Sequence, residues 1–359
     1  MKRILMMIPT PPPFMGPSVA TEIILKSNLK KYFDLILIDT ADRRELSNLG
    51  KFDILNLFHF LRQFFLLLFK NLFLKIDLNY LLLTQTRLGI LRDFLFFLLL
   101  RFLRKRILFH FRGSGIFKLY GESNIFFKFL IEKMMNNSDG VIFLCEKLKE
   151  EAERRFPKGR FFSVSNGLNI PEVIREGEMR CRNILFLSNL KESKGFYDVL
   201  KIIGDVVEEF RDVKFIFGGE FLFDENRVKD IFSKFKDNVE LHKSPTGEIK
   251  EKLFCKSHLF LLPSYNEGMP WAIIEAMGHS LPIISTKVGC IPEMVLNGEN
   301  GFLIEPGDID SLKKSIFKFL DGSIDFIKCG KISREIYERN FREENFISGL
   351  KNVFEEILK

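Results

Sequence analysis

The sequence lacks the paired ligands that zinc sites usually show. Its five cysteines are scattered over 359 residues without a Cys-x-x-Cys pair, and its five histidines form no cluster at ligand spacing. Zinc-binding modules and disulfide frameworks both depend on such spacing. The cysteine pattern therefore argues against a zinc site and predicts a protein of the reducing cytoplasm.

The chain also has little that resembles a membrane span or a leader. The apolar runs Phe64–Phe69 and Phe94–Leu100 are bounded by charges, and both are far shorter than the roughly 18–20 residues that cross a bilayer. The apolar run after Arg3 covers only about five residues and ends in prolines, which predicts a first core strand rather than a signal peptide.

Acidic residues are scarce in one part of the chain. Residues 1–178 hold 28 basic and 18 acidic residues, whereas residues 179–359 hold 26 and 29. Between 59 and 118 there are 11 basic residues and only two acids. We expect a basic, apolar surface on an anionic membrane, with the cluster Arg101–Arg106 contacting the membrane or an anionic acceptor. Buried helices with basic ends are the alternative, and no motif indicates a nucleic-acid partner.

Strand-like and helix-like segments alternate along the whole chain, which predicts an α/β fold with parallel sheets and right-handed crossovers. One of the predicted strands is Asp53–Phe60. With 46% hydrophobic residues, 359 residues are enough for two domains. The polar stretch 171–182 has no clear periodicity and is predicted to be a linker. We expect one Rossmann-like domain over 1–170 and a second over 183–340, facing each other across a cleft.

The stretch 261–306 is the most informative. An apolar strand ends there in a short loop, and a proline stands where a helix begins, as is favoured at the first helical position. In order, these elements are Leu259–Leu262, Pro263-Ser264, Glu267-Gly268, Pro270 and the helix Trp271–Gly278 with Glu275. A helix start at the carboxyl edge of a strand suits a phosphate, and carboxylates suit sugar hydroxyls.

This stretch resembles the retaining nucleotide-sugar glycosyltransferases of family 4, also called group 1. Their hallmark is a Glu, seven residues and a second Glu, preceded by Pro-Ser. The matching positions are Pro263-Ser264, Glu267, Glu275-Ala276-Met277, Gly278, Pro282, Gly289, Glu293 and Asn297–Pro306. Ser280 and Cys290 stand where the family usually has glycine. The resemblance implies the two-domain GT-B fold, with a C-terminal helix over 341–359 that packs back on the first domain.

The resemblance also implies a donor site. Lys194 is expected to contact the donor diphosphate, Glu267 to hold the sugar ring at the reaction centre, and Glu275 to accept hydrogen bonds from the ribose. Asn189 stands where the family has Arg, and Lys191 is expected to supply that charge. The other expected donor-binding residues are Gly16, Gly218, Gly219, Gly268, Met269, Trp271 and Glu293. Solvated loop residues, strand-end turns and a helix-start carboxylate are the alternatives.

In the first half, a strand end resembles the family's His-Gly element. Here Arg112 precedes Gly113, and His110 lies two residues earlier. Alternation along a strand puts both side chains on the same side. We expect one of them to stabilise charge at the anomeric centre or on the leaving diphosphate. A satisfied core histidine is the alternative for His110.

The predicted function is therefore retaining transfer of a hexosyl unit from a UDP- or GDP-linked sugar, without cofactor or metal. No Asp-x-Asp motif is positioned for a catalytic divalent ion. The expected acceptor is a hydroxyl of a glycan or lipid-linked glycan in surface polysaccharide biosynthesis, at the inner face of the cell membrane. Two alternatives remain: a nucleotide-sugar epimerase of GT-B-like shape, and a non-catalytic membrane-associated scaffold, which the departures at Asn189 and Arg112 motivate.

Overall fold

The computed structural model describes residues 1–12, 16–43, 54–172 and 180–359. The chain divides into two compact units. Unit 1 comprises residues 1–166 and 343–359, and unit 2 comprises residues 167–342. Most of the predicted linker, residues 173–179, lies outside the described residues.

Unit 1 contains a parallel sheet with helices between its strands. Its strands are β1 (Lys2–Ile8), β2 (Phe33–Asp39), β3 (Leu78–Leu83), β4 (Ile107–Phe111), β5 (Gly140–Phe143) and β6 (Phe161–Ser163). Its helices are α1 (Gly16–Lys26), α2 (Ile54–Phe73), α3 (Arg87–Phe102), α4 (Ile116–Gly121), α5 (Ile125–Asn137), α6 (Glu146–Arg155) and α14 (Glu343–Leu358). The strand order is β2-β1-β3-β4-β5-β6, and every neighbouring pair is parallel.

Unit 2 repeats this architecture. Its strands are β7 (Asn183–Leu187), β8 (Lys214–Gly219), β9 (Val239–Lys243), β10 (Leu259–Leu262), β11 (Ile283–Thr286) and β12 (Gly301–Ile304). Its helices are α7 (Phe196–Glu209), α8 (Glu225–Lys234), α9 (Gly247–Lys256), α10 (Trp271–Gly278), α11 (Ile291–Met294), α12 (Ile309–Leu320) and α13 (Phe326–Asn340). The strand order is β12-β11-β10-β7-β8-β9, again all parallel.

One predicted element is wrong. The strand expected over 53–60 is the start of α2, a helix of 20 residues that begins at Ile54. A short apolar run cannot be assigned to strand or helix by periodicity alone. Here the apolar sequence continues to Phe73, a length that favours a helix over a strand. Within the described part of the chain, neither this helix nor any other is long and apolar enough to cross a membrane.

Both sheets have a point where the chain reverses its direction of growth. In unit 2, the strands β8 and β9 extend the sheet on one side of β7, and β10 to β12 extend it on the other. The strands β7 and β10 are neighbours, and the connections that follow them lead to opposite halves of the sheet. The carboxyl edge at such a reversal point is where open α/β sheets bind ligands. In unit 1 the corresponding point lies between β1 and β3.

Candidate active site

The loops that follow β7 and β10 touch through a glycine. Gly195 has a left-handed backbone, with φ of 74°. A Cβ atom at this position would lie 2.2 Å from the carbonyl oxygen of Pro263, closer than any side chain tolerates. Glycine thus lets the end of the first loop press against the end of β10, and this contact positions Lys194 beside the second loop.

Lys194 and Glu267 form an ion pair at this edge. Lys194 Nζ lies 2.6 Å from Glu267 Oε1, which also accepts a hydrogen bond of 2.8 Å from Ser264 Oγ. The two charged side chains are only 21% and 9% exposed. A cation and a carboxylate in such partial burial interact more strongly than at the surface. The structure thus brings together the two residues predicted for the diphosphate and the sugar ring.

Glu275 has a partner that the sequence gave no reason to choose. It lies on α10, and Lys250 Nζ on α9 approaches its Oε1 to 2.5 Å. Lys250 belongs to no motif, and its side chain resembles any other helix-surface lysine in the sequence. Only the packing of α9 beside α10 shows that it neutralises the carboxylate predicted to bind the ribose.

A further glycine, Gly289, holds the loop that carries Glu267 by backbone contact. Gly289 has φ of 55°, and a Cβ there would lie 2.2 Å from the carbonyl oxygen of Glu267. The next residue, Cys290, donates its N–H to the carbonyl of Gly268 at 2.8 Å. The segment after β11 therefore supports the loop that carries Glu267. Glu293, predicted to bind the donor, follows half-buried in α11.

The predicted glycine pair at the end of β8 performs the same role for the loop after β7. A Cβ on Gly219 would lie 1.8 Å from the carbonyl oxygen of Ser188. The carbonyl of Gly218 accepts a hydrogen bond of 2.9 Å from the N–H of Ser188. The adjoining Asn189 and Lys191 are half-buried in the same loop. In the part of the chain that the structure covers, the Lys191 ammonium makes no ion pair.

The start of α10 differs slightly from expectation. Pro270 is the N-cap residue, with extended backbone angles, rather than the first helical residue, and the helix begins at Trp271. Met269 is buried, whereas Gly268 and Trp271 are half-buried. Because a proline has no N–H, only the other residues at this turn can donate to a ligand.

A tyrosine and an aspartate that the sequence analysis did not select connect the two site loops. Tyr265 donates its hydroxyl to Asp198 Oδ2 at 2.6 Å and its N–H to the carbonyl of Ser193 at 3.0 Å. The hydrogen bond to Asp198, helped by burial and by that negative charge, raises the pKa of Tyr265 to about 12. This pairing anchors the β10 loop to the first turn of α7, which carries Asp198.

In unit 1, His110 lies entirely in the interior. Its Nδ1 is 2.6 Å from the Tyr80 hydroxyl oxygen, and the ring has no exposed surface. Burial, and then the nearby Arg112 charge, lower the pKa of His110 well below its ordinary value. The ring is therefore a neutral core side chain in this structure, which favours the alternative that the sequence left open. Its Nε2 has no hydrogen-bond partner within the described residues.

Arg112 lies close to His110, as strand alternation predicted. Its Nη1 donates to Asn166 Oδ1 at 2.7 Å, and its guanidinium lies 4.9 Å from the ring centre of Phe346. Burial lowers the pKa of Arg112. Its Nε and Nη2 are buried and, among the residues that the structure describes, have no hydrogen-bond partner. The residue therefore holds a positive charge with unused donors.

Arg112 also lines a cavity of about 520 Å³ at the carboxyl ends of β1, β2 and β3. Most of its lining surface is apolar, with Leu57 and Phe60 from α2, Leu88 and Leu91 from α3, and Leu83 from the end of β3. Gly16, predicted to approach the donor, is the first residue of α1 near this edge, while residues 13–15 of the same loop lie outside the described part.

Known proteins resemble the chain in sequence and in fold. Residues 181–322 match the family described as glycosyl transferases group 1. An uncharacterized glycosyltransferase of Methanocaldococcus jannaschii is 25% identical over 64% of this chain and 63% of its own length. The capsular polysaccharide biosynthesis glycosyltransferase CapM of Staphylococcus aureus is 25% identical over 48% of this chain and 46% of its own. The chain thus spans between about half and two thirds of these relatives.

The structural likeness covers both units. The crystal structure of Anabaena HepE in complex with UDP has a TM-score of 0.74 and covers 99% of this chain and 100% of HepE, at 15% sequence identity. Such low identity speaks for the fold alone, and it agrees with the two parallel six-stranded sheets. The family match covers residues 181–322, so this part of unit 2 is similar to the group 1 glycosyltransferases, and the two sheets together have the GT-B architecture of the matched structures.

Proposed function

We propose that this protein is a retaining glycosyltransferase of the family 4 type. It transfers a hexosyl unit from a UDP- or GDP-linked sugar to a hydroxyl of a glycan or lipid-linked glycan. The reaction serves surface polysaccharide biosynthesis at the cytoplasmic face of the cell membrane and needs no metal ion. The Lys194–Glu267 ion pair at the reversal point of the unit 2 sheet is the observation that carries this proposal.

The ion pair supports a donor site because each partner can bind a group of a sugar diphosphate in place of the other. A phosphate oxygen replaces Glu267 on Lys194, and the released carboxylate accepts a hydrogen bond from a sugar hydroxyl. Lys250 and Glu275 supply a second such pair for the ribose. Lys191, half-buried in the loop that carries Lys194, adds charge near the position where the family has arginine. The UDP named with HepE agrees with this donor class.

The chemical step is departure of the diphosphate. Lys194 and the start of α10 stabilise the charge that develops on the leaving oxygen, since fixed cations and helix dipoles act before the reaction begins. A leaving phosphate oxygen takes the proton from the acceptor hydroxyl. The new glycosidic bond then forms on the face that the diphosphate leaves, so the anomeric configuration is retained.

The cavity of unit 1 supports an amphipathic acceptor. Its lining is mainly apolar, yet it includes Gln63 and Arg112. Buried polar atoms of both, Gln63 Oε1 and Arg112 Nε and Nη2, lack partners in the described residues. Unsatisfied buried groups are costly, so a ligand that hydrogen-bonds to them gains affinity. A lipid-linked glycan offers phosphate and hydroxyl groups for these atoms and an alkyl chain for the leucines.

The surface of α2 and α3 supports a membrane as the place of reaction. Large apolar side chains are exposed along both helices, including Phe58, Phe65, Phe69, Phe73, Leu95, Leu98 and Phe102. Contiguous exposed apolar surface marks interaction sites, and Arg62, Arg101 and Arg104 are exposed on the same helices or just after α3. Arg106 is not part of this surface, because its Nη1 donates to the carbonyl of Ile357 at 2.7 Å.

Radiolabelled nucleotide sugars, incubated with the protein and a membrane lipid extract, test the proposed reaction. We expect label in a lipid-extractable product whose new linkage keeps the anomeric configuration of the donor, as read by NMR. Glu267→Gln is expected to lose transfer, whereas the control Glu305→Gln, in an exposed pair with Lys287, keeps it. Sugar interconversion without transfer would indicate an epimerase, and no turnover of any donor would indicate a scaffold.

Vesicle flotation tests the membrane proposal separately. We expect the protein to float with phosphatidylglycerol vesicles and less with neutral phosphatidylcholine vesicles, and the bound fraction to fall as salt rises. The double variant Phe65→Ser/Phe69→Ser should lose binding. Ile249→Ser is the matched control, since it removes an exposed apolar side chain from α9 of unit 2. Equal flotation of both variants would reject α2 as the membrane surface.

A further inference from the structure

Three side chains with metal-binding atoms meet where α9 packs beside the end of α10. Glu251 and Cys255 lie on α9, and His279 is the residue that caps the C-terminus of α10. One carboxylate oxygen, the thiol sulfur and one imidazole nitrogen all lie within 4.8 Å of one another. We propose that these three residues bind a zinc ion, and we call them the α9–α10 cluster.

The orientation of His279 is the first argument for the ion. Its Nδ1 lies 2.7 Å from the carbonyl oxygen of Glu275, which can only accept, so Nδ1 donates. The other nitrogen, Nε2, points at Glu251 Oε1 at 2.8 Å. A backbone carbonyl that fixes Nδ1–H and directs Nε2 towards a ligand is the usual arrangement of zinc-bound histidines.

The rigidity of this ring is the second argument. His279 is 1% exposed and is stacked on Phe254, with ring centres 4.7 Å apart and planes inclined by 12°. Phe254 and Cys255 are neighbours on α9, so one helix both fixes the imidazole and supplies the thiol. A buried, immobile histidine loses little conformational entropy when it binds an ion.

The spacing on α9 is the third argument. Residues four apart share one face of a helix, so Glu251 and Cys255 point the same way. Cys255 is exposed, and the Glu251 side chain is 45% exposed, which leaves an open path for an ion. Tetrahedral zinc sets its ligand atoms roughly 3.3–3.8 Å apart, so small rotamer shifts bring the cluster to this geometry, and water takes the fourth position.

The ligand types select the metal. A thiolate and an imidazole favour zinc over magnesium or calcium, which prefer oxygen ligands throughout. On binding, the Cys255 thiol loses its proton to solvent, and the imidazole Nε2 exchanges its contact with Glu251 for the ion. The sequence argued against a zinc site because it shows no Cys-x-x-Cys pair and no histidine cluster. The fold assembles the ligands from two helices instead.

Cobalt titration of the reduced, metal-free protein tests the site, since Co²⁺ replaces Zn²⁺ and gives a thiolate charge-transfer absorption. We expect one Co²⁺ per chain, displaced by Zn²⁺. Cys255→Ala should abolish the charge-transfer band, and Glu251→Gln should weaken binding by about tenfold or more. The control Glu248→Gln removes a carboxylate of the same helix that is 93% exposed, and it should bind as the unaltered protein does.

Both test positions are solvent-accessible, so circular dichroism melting curves should show all three variants folded. A charge-transfer band that persists in Cys255→Ala, or Glu251→Gln affinity equal to that of Glu248→Gln, would overturn the site. Absence of cobalt binding by the unaltered chain would do the same. None of these results depends on the enzymatic activity.

The ion would also fix the position of Glu275, because His279 is hydrogen-bonded to its carbonyl and Lys250 on α9 pairs with its side chain. This consequence rests on the proposed function. We expect added zinc to change UDP affinity in the unaltered protein and not in Cys255→Ala, as measured by calorimetry. Equal UDP affinity with and without zinc would reject the coupling, while the cobalt result would still decide the site.

Discussion

The buried faces of two helices, α7 of unit 2 and α2 of unit 1, differ in polarity. The buried positions of α7 are apolar apart from Asp198, and they include Val199, Ile203 and Val206. The buried positions of α2 are Gln63, Leu67 and Asn71, of which two are amides. The phenylalanines of α2 are exposed instead, with Phe58 at 64%, Phe69 at 52% and Phe73 at 77%.

The two helices show a difference in how much apolar side-chain surface is exposed to solvent. Helix α7 of unit 2 buries its apolar residues in the core, and unit 2 presents charged pairs at the edge of its sheet. Unit 1 leaves apolar surface unburied on α2 and α3, beside a largely apolar cavity. Exposed apolar surface of this extent costs solubility unless something covers it, so it indicates a binding surface rather than a packing fault.

The largest expected effect is on the charged edge of unit 2. Lys194→Ala should lower the transfer rate by a factor on the order of 10²–10³, the usual loss when one group that stabilises a leaving charge is removed. Lys313→Ala removes a lysine from a more exposed pair, with Asp205, and should leave the rate unchanged. Steady-state kinetics with labelled donor measure both. Equal rates for the two variants would reject the assignment of Lys194.

The contrast between α7 and α2 can be tested by truncating one residue of each. Ile203→Ala in α7 should lower the free energy of unfolding by about 2–5 kcal/mol, because it leaves a cavity in a filled core. Phe69→Ala in α2 should change it by less than about 0.5 kcal/mol, because an exposed ring loses few contacts. Urea titration gives both values. Comparable losses would mean that α2 is packed in solution against part of the protein.

The polar side of α2 gives a smaller effect. Asn71 and Asn79 exchange two amide hydrogen bonds, of 2.8 and 3.1 Å, in the interior. Asn71→Leu should cost about 1–3 kcal/mol, because it leaves the Asn79 amide without that partner. The double variant Asn71→Leu/Asn79→Leu should recover part of the loss in the same urea titration. If the double variant were less stable than the single one, Asn79 would stabilise the fold through contacts other than its hydrogen bonds to Asn71.

The smallest expected effect concerns the tyrosine of the unit 2 site. Folding raises the pKa of Tyr265 from its ordinary value of 10 to about 12. The folded state then holds the phenolic proton more tightly, so this stabilisation is complete below pH 10 and is lost as the pH rises towards 12. Tyr265→Phe should flatten the decline of the melting temperature over that range. An unchanged slope would show that the hydrogen bond to Asp198 is not maintained in solution.

Much of the fold follows from local sequence. The alternation of apolar strands with amphipathic helices predicted the α/β class, and helix α10 has the predicted bounds. The motif around Glu267 also indicated the family, since its spacing depends on one strand-loop-helix unit. The strand predicted over 53–60 was wrong because the apolar residues there continue into α2, a helix that leaves most of them unburied.

The sequence by itself thus determined the fold class and the positions of Lys194, Glu267 and Glu275 in the chain, and its motifs indicated a resemblance to the group 1 glycosyltransferases. Only the tertiary structure decided which groups pair with them: Lys250 with Glu275, Asp198 with Tyr265, and Glu251 and Cys255 with His279. The physical reason is that periodicity records how each segment is buried against its neighbours. It contains no information on which distant side chains the strand order and helix packing bring within hydrogen-bonding distance.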